Sequence, residues 1–306
     1  MPVEDYCHLL HYIVEAAGSR ASFDAQGIAS FVRLLKVVGL NSPEGTSKLT
    51  QQAFSKTLVS CADRPNYVLN SATRAEVLAL LNGFCSDRPA SVRPSDISTI
   101  WSIIGQLLSS SLEHDQATDP TVFQEIVSIV SALVRLRRDL VLNTLPHLGM
   151  VLRRLINALK EPRPQLGAKQ TRLVMNTLPA WISAEKPLSA EEARVLARLM
   201  TTLTTKTIVR MHGQNAESQK PESLVRPFSK HAAYVLTAYI DAVNDPLCHV
   251  ATQIRKELQP GLFALCDMLG DHNRDAMMVS ALDASGKVMM KALWKEYEKQ
   301  RYVGKG

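Results

Sequence analysis

Apolar residues recur three or four positions apart in one segment after another, and this spacing does most to constrain how the chain folds. From 122 to 140, Val122, Ile126, Ile129, Leu133, Leu136 and Leu140 alternate steps of four and three throughout. At about 100° per residue such a set lies on one side of an α-helix, and that side must be buried against a neighbour. The same rhythm runs through Phe228, Ala232, Val235, Tyr239 and Val243. It continues in Val250, Ile254, Leu258, Leu262, Leu265 and Leu269, and then in Met278, Leu282, Ser285, Met289 and Leu293. Pro260-Gly261 interrupts the middle series, and because proline lacks the amide that would bond Lys256, a kink or restart is expected there.

Short breaks separate these segments, near 18–19, 39–45, 63–66, 86–94, 113–119, 161–167, 185–188, 212–223 and 244–246. Asp119-Pro120 reads as a cap followed by proline in the first helical turn. Ser189-Ala-Glu-Glu192 reads as a capping box, serine and glutamate each taking one unpaired amide. Fourteen glycines and few β-branched runs argue against a β-rich fold. About a dozen helices in one bundle would need a second core, whereas stacked hairpins extend a single core. The expected fold is therefore all-α, an α-solenoid of irregular HEAT/armadillo-like helical hairpins. The tetrapeptide Asn-Thr-Leu-Pro occurs at 143–146 and again at 176–179, a spacing within the range of helical repeats, although chance explains it equally well. Residues 1–118 read as acidic N-terminal repeats and 119–306 as a C-terminal helical domain continuous with them. The polar stretch 212–223 reads as a mobile loop.

Charge is unevenly distributed. Residues 1–130 carry a net −4, residues 133–172 a net +7 and residues 173–306 a net +3, within a total of +6. A local basic surface beside an acidic one points to an oriented partner more than to general adhesion. The five cysteines, Cys7, Cys61, Cys85, Cys248 and Cys266, are odd in number and form no CxxC pair, which fits thiols in a reducing compartment. No cleavable signal pattern opens the sequence, and no apolar run approaches the ~20 residues that cross a bilayer. A soluble, intracellular protein is expected.

Chemistry-bearing motifs are few. There is no phosphate-binding glycine loop, no GxSxG elbow and no helicase signature. Cys7, His8 and His11 could lie on adjoining turns, but no second cluster completes a metal shell. Ser183-Ala-Glu-Lys186 has SxxK spacing without its companion motifs. No catalytic residue, cofactor or metal ligand is nominated. Two surfaces are. Arg135 and Arg138 project off the apolar line of their helix, as do Arg153 and Arg154 on the next. Arg163, Lys169 and Arg172 continue the charge, so these seven could meet several phosphates; a solvated outer face is the plainer alternative. On the last helix Lys287, Lys291, Lys295 and Lys299 follow at four-residue steps. Lys287, Lys291, Trp294, Lys295, Tyr297 and Tyr302 form a candidate partner surface there, the aromatic residues serving equally well as packing anchors.

The C-terminal motifs themselves are distinctive. They are His231-Ala-Ala-Tyr234-Val-Leu-Thr-Ala-Tyr239-Ile, Arg255-Lys-Glu-Leu-Gln-Pro260-Gly261-Leu-Phe263, Ala281-Leu-Asp283-Ala-Ser-Gly286-Lys287, and Leu293-Trp-Lys-Glu-Tyr297 leading to Tyr302-Val-Gly-Lys. In this order they resemble the C-terminal domain of the nucleolar large-subunit pre-ribosomal RNA processing family of unhealthy ribosome biogenesis protein two. The likeness is dense from 224 to 306, thin over 189–211 and not visible before about residue 120. It implies a C-terminal fragment of a longer eukaryotic protein, with no catalytic signature. It also implies work in the nucleolus, in early large-subunit assembly. The partners it implies are the sister scaffold unhealthy ribosome biogenesis protein one, a DEAD-box RNA helicase and pre-ribosomal RNA, with no membrane. A direct RNA-binding module and a helical-repeat trafficking adaptor are the alternatives that the residues leave open.

Overall fold

The computed structural model describes residues 2–18, 25–64, 70–207 and 223–303. The loop expected over 212–223 falls, except for Ser223, outside the described residues. Among the described residues there are thirteen α-helices, one 3-10 turn and one pair of two-residue strands, so the chain is all-α. The helices are α1 (Val3–Gly18), α2 (Ala25–Leu40), α3 (Ser47–Ala62), α4 (Ser71–Asp87), α5 (Pro94–Leu107), α6 (Pro120–Leu136) and α7 (Arg138–Leu142). They continue as α8 (Leu145–Ala158), α9 (Ala168–Met175), α10 (Ala190–Thr202), α11 (Val225–Asn244), α12 (Thr252–Ser280) and α13 (Ala284–Val303). The strands are β1 (Glu161–Pro162) and β2 (Cys248–His249).

Two compact units interleave along the chain. One comprises Met1–Leu107 and Thr121–Val141, the other Leu108–Pro120 and Leu142–Gly306. The segment before α6 joins the second unit because its amides are satisfied there. Ser111, Asp115 and Asp119 donate to the carbonyls of Leu178, Ala180 and Trp181 at 3.0, 2.8 and 3.1 Å.

In the first unit every second helix is a neighbour: α1 packs on α3, α3 on α5, and α2 on α4. Buried hydroxyls need partners, and two of them find one across these seams. Tyr6 and Thr50 share a 2.6 Å hydrogen bond, and Ser55 donates to Asp96 at 2.5 Å. Residue numbers rise together along each seam, with Ser55 at Asp96 and Ala62 at Gln106, or Arg33 at Glu76 and Leu40 beside Gly83. Alternate helices therefore run parallel. The stacked rings of Phe54 and Phe84, 4.1 Å apart, join α3 to α4. On the far side Asn82 bonds both Glu125 and Ser128 of α6, at 2.7 and 3.0 Å.

The apolar series from 122 to 140 spans two helices rather than one. Helix α6 ends at Leu136, which is 44% exposed, and α7 resumes with Leu140 and Val141 buried. At the break the Arg137 guanidinium donates to the carbonyls of Pro89 and Val92 and pairs with Asp139 at 3.1 Å. A one-residue break scarcely disturbs a 3–4 rhythm, so the sequence conceals it.

In the second unit α10 packs on α12, α8 and α13 pack on α11, and α12 packs on α13. The capping box of α10 is present, with the Ser189 amide donating to Glu192 at 2.9 Å. Val250, Ile254, Leu258, Leu262, Leu265 and Leu269 are all buried, as their spacing requires. Helix α12 nevertheless carries Pro260 in its interior and breaks instead at Gly270 (φ 67°, ψ 166°). Pro260 and Lys256 both lie on the exposed side, where water can take the carbonyl that proline leaves unbonded. The two Asn-Thr-Leu-Pro copies are not equivalent. The first leads into α8, while the second follows α9 and bridges Ser110 through Pro179.

Candidate functional site

The seven basic residues nominated as one patch have different surroundings. Arg135 and Arg138 belong to the first unit and the other five to the second. Arg138 is only 3% exposed, its Nε donates to the Val134 carbonyl at 3.1 Å, and burial lowers its pKa from the ordinary value. It begins α7 after the break at Arg137, so a phase counted along one continuous helix puts it wrongly on the surface. Arg163 is also occupied. Its amide donates to the Leu247 carbonyl at 3.1 Å and its Nε to that of Cys248 at 3.0 Å, clamping the turn before β2. Arg154 is half-buried, and Arg135, Arg153, Lys169 and Arg172 are exposed. Helix α9, which carries Lys169 and Arg172, packs on β1.

The clamp is a small polar network that the sequence did not disclose. β1 and β2 pair antiparallel, with Glu161 opposite His249 and their side chains 2.8 Å apart. Lys160 lies 3.6 Å from Asp245. Burial pushes the Asp245 carboxyl up, but the Leu247 amide, the Cys248 thiol and Lys160 together hold it below the usual carboxylate range. The thiols of Cys61, Cys85, Cys248 and Cys266 are all pushed up to about 12, chiefly by burial, and stay protonated near neutrality.

On α13 the inner face differs by about one residue from the expected one. Met290, Leu293, Trp294 and Tyr297 are buried, while Met289 is half-buried and Val288 is 68% exposed. Likewise Met277 is buried and Met278 half-buried. Adjacent methionines at 277–278 and 289–290 allow two helical phases about 100° apart. Gly286, against Ile240 of α11, favours the observed one. Trp294 and Tyr297, 9% and 7% exposed, are therefore packed largely into the core rather than standing free on the surface. Tyr297 donates to Asp267 at 2.9 Å, lies edge-on to Trp294 at 5.2 Å and approaches Phe263 at 6.0 Å. The Trp294 indole donates to Glu298 at 2.9 Å, and Arg274 covers its ring at 4.7 Å. Lys291 and Lys295 are exposed and Lys287 half-exposed; the Tyr302 side chain lies outside the described residues. Arg274 was not singled out in the sequence, because its role depends on the break at Gly270 that turns the following residues toward α13.

Among the described residues no group of histidines, cysteines and carboxylates could hold a metal ion, and no helix is long and apolar enough to cross a membrane. Residues 75–305 match the family model described as the Urb2/Npa2 family. The match begins inside α4, well before residue 120, where the motifs first become recognisable by eye. No curated protein matches the chain. The chain belongs to the Urb2/Npa2 family, and membership implies a role in ribosome biogenesis.

Proposed function

We propose that this member of the Urb2/Npa2 family is a non-enzymatic helical scaffold of early large-subunit assembly and pre-ribosomal RNA processing, working in the nucleolus. The family match over 75–305 carries the reading. The packing supports it. In each unit alternate helices are neighbours, as in an α-solenoid of irregular HEAT/armadillo-like hairpins, and such stacks present long surfaces that hold partners at fixed spacing. The partners proposed are the sister scaffold unhealthy ribosome biogenesis protein one, a DEAD-box RNA helicase and pre-ribosomal RNA. Direct RNA contact through one seven-residue basic patch is the weaker reading, because Arg138 is buried and Arg163 is engaged by backbone carbonyls.

The test is to purify the tagged full-length protein from cells and identify what accompanies it. Precursor RNA of the large subunit, together with the sister scaffold and the helicase, is the expected result. Recovery of membrane-traffic components without pre-ribosomal RNA would overturn the proposal.

A further inference from the structure

Beyond Gly270, α12 and α13 leave an open groove of about 410 Å³, within the range of specific ligand sites. Its lining is apolar at the centre, where Met278, Val279, Met290 and Trp294 converge. Val279 is 81% exposed and Met278 half-buried, so the groove presents uncovered apolar surface and is not a sealed part of the core. Methionine suits this position because its unbranched, polarizable side chain adapts to different apolar shapes.

The charges around the groove fall into two groups. Arg274 is engaged by Asp271 at 3.0 Å and Asp275 at 2.8 Å while it covers Trp294. Glu298 accepts the Trp294 indole proton. Lys291 and Lys295, one turn apart on the α13 rim, are exposed, and among the described residues no hydrogen bond or ion pair engages either. An occupant therefore meets an apolar floor and, along one edge, two exposed cations that no ion pair among the described residues engages.

We propose that this groove is a docking site for a short acidic peptide segment of a partner protein, with aliphatic or aromatic anchors on the apolar surface of Met278 and Val279 and carboxylates facing Lys291 and Lys295. From Met290 to Glu298 the α13 edge is about 12 Å long, which matches two turns of an amphipathic helix laid in a groove. Charge complementarity favours an acidic segment over a basic one. The floor favours peptide over RNA: Trp294 is covered by Arg274 and cannot stack on a base. The proposal rests on the scaffold reading for its setting and deepens it by naming the partner chemistry of one surface.

The experiment pans a displayed library of random peptides of about twelve residues against the full 306-residue chain. Enriched peptides are then labelled and titrated by fluorescence polarization. The expected peptides carry apolar residues at three- or four-residue spacing and a net negative charge. Their Kd should weaken about tenfold or more for the Lys291→Glu, Lys295→Glu double variant, and similarly for Val279→Asp. Peptides with lysine in place of their acids should bind the double variant better than the parent. All three positions are exposed, so the variants should melt like the parent; if Val279→Asp does not fold, the lysine pair and the charge swap still decide.

Enrichment of basic or uncharged peptides, of none, or of peptides that bind the variants equally well overturns the proposal. So does a labelled oligouridine RNA whose binding depends on Lys291 and Lys295 while no acidic peptide binds. A chain that accompanies pre-ribosomal RNA but selects no acidic peptide refutes the groove alone. A chain that selects such peptides but never accompanies pre-ribosomal material refutes the scaffold reading alone.

Discussion

The two halves of α12 contain one glycine each, and the glycines act in opposite ways. At Gly261 the helix is regular and presses on α10. A Cβ there would lie 2.8 Å from the Ala197 Cα and 3.1 Å from its carbonyl oxygen. The seam is closed beside it by Arg194, which holds Glu257 at 3.0 and 3.2 Å. At Gly270 nothing lies within 4 Å, and the backbone alone requires glycine, since φ 67° with ψ 166° is essentially closed to other residues. The first glycine brings two helices together; the second turns the helix so that Arg274, Asp275, Met278 and Val279 beyond it line an open groove with α13. Close packing in this protein thus depends on a missing side chain, and exposed surface on a backbone conformation.

Substitution separates these roles, and the larger effect is expected at the closed seam. Gly261→Leu must displace the α10 backbone, not merely a side chain, and should cost about 3 kcal/mol or more by denaturant unfolding. A loss below about 1 kcal/mol would mean that α10 and α12 slide apart readily, and the contrast between the halves would fail. Gly270→Ala meets no neighbour and should cost about 1–3 kcal/mol from backbone strain alone. If Gly270→Ala is neutral, the residue relaxes into helix, and the groove beyond it should change shape with it.

Gly261 and Gly270 also show what the sequence could disclose. The six apolar positions from Val250 to Leu269 were legible one by one, because burial follows the 3–4 rhythm. The capping box at Ser189 was legible because it is local chemistry. The place of the break was not. Pro260 looks like the disruptive residue, yet whether a proline breaks a helix depends on whether solvent can reach the freed carbonyl, and that is a tertiary property. The phase of α13 was legible only to within one residue, because Met289 and Met290 suit either phase and the choice is made by Ile240 of α11. For the basic residues, charge was visible but its employment was not. Arg163 reads as a free cation until Leu247 and Cys248, more than eighty residues away, are folded beside it. The acidic-peptide groove was hidden for the same reason, since it exists only after the turn at Gly270.

The smallest effect expected concerns the packed side of the α12–α13 pair and appears only in alkali. Tyr297 is pushed up to about 12, first by burial and then by its hydrogen bond to the Asp267 carboxylate. In the unfolded chain the phenol ionises near 10, so between these values the unfolded state loses a proton that the folded state keeps. The contribution of Tyr297 is therefore complete below pH 10 and declines as pH rises toward 12. The buried thiols titrate in the same window, so the parent curve does not report on Tyr297 alone. Tyr297→Phe keeps the ring against Phe263 and Trp294 and removes the ionisable hydroxyl, and the difference between the two curves isolates this residue. Urea midpoints of the parent and variant should run parallel up to pH 10 and converge above it, the parent losing stability faster. Curves that stay parallel to pH 12 would show that Tyr297 ionises as easily folded as unfolded. The α12–α13 interface would then be wet on both sides, and the distinction between its packed edge and its open groove would fall.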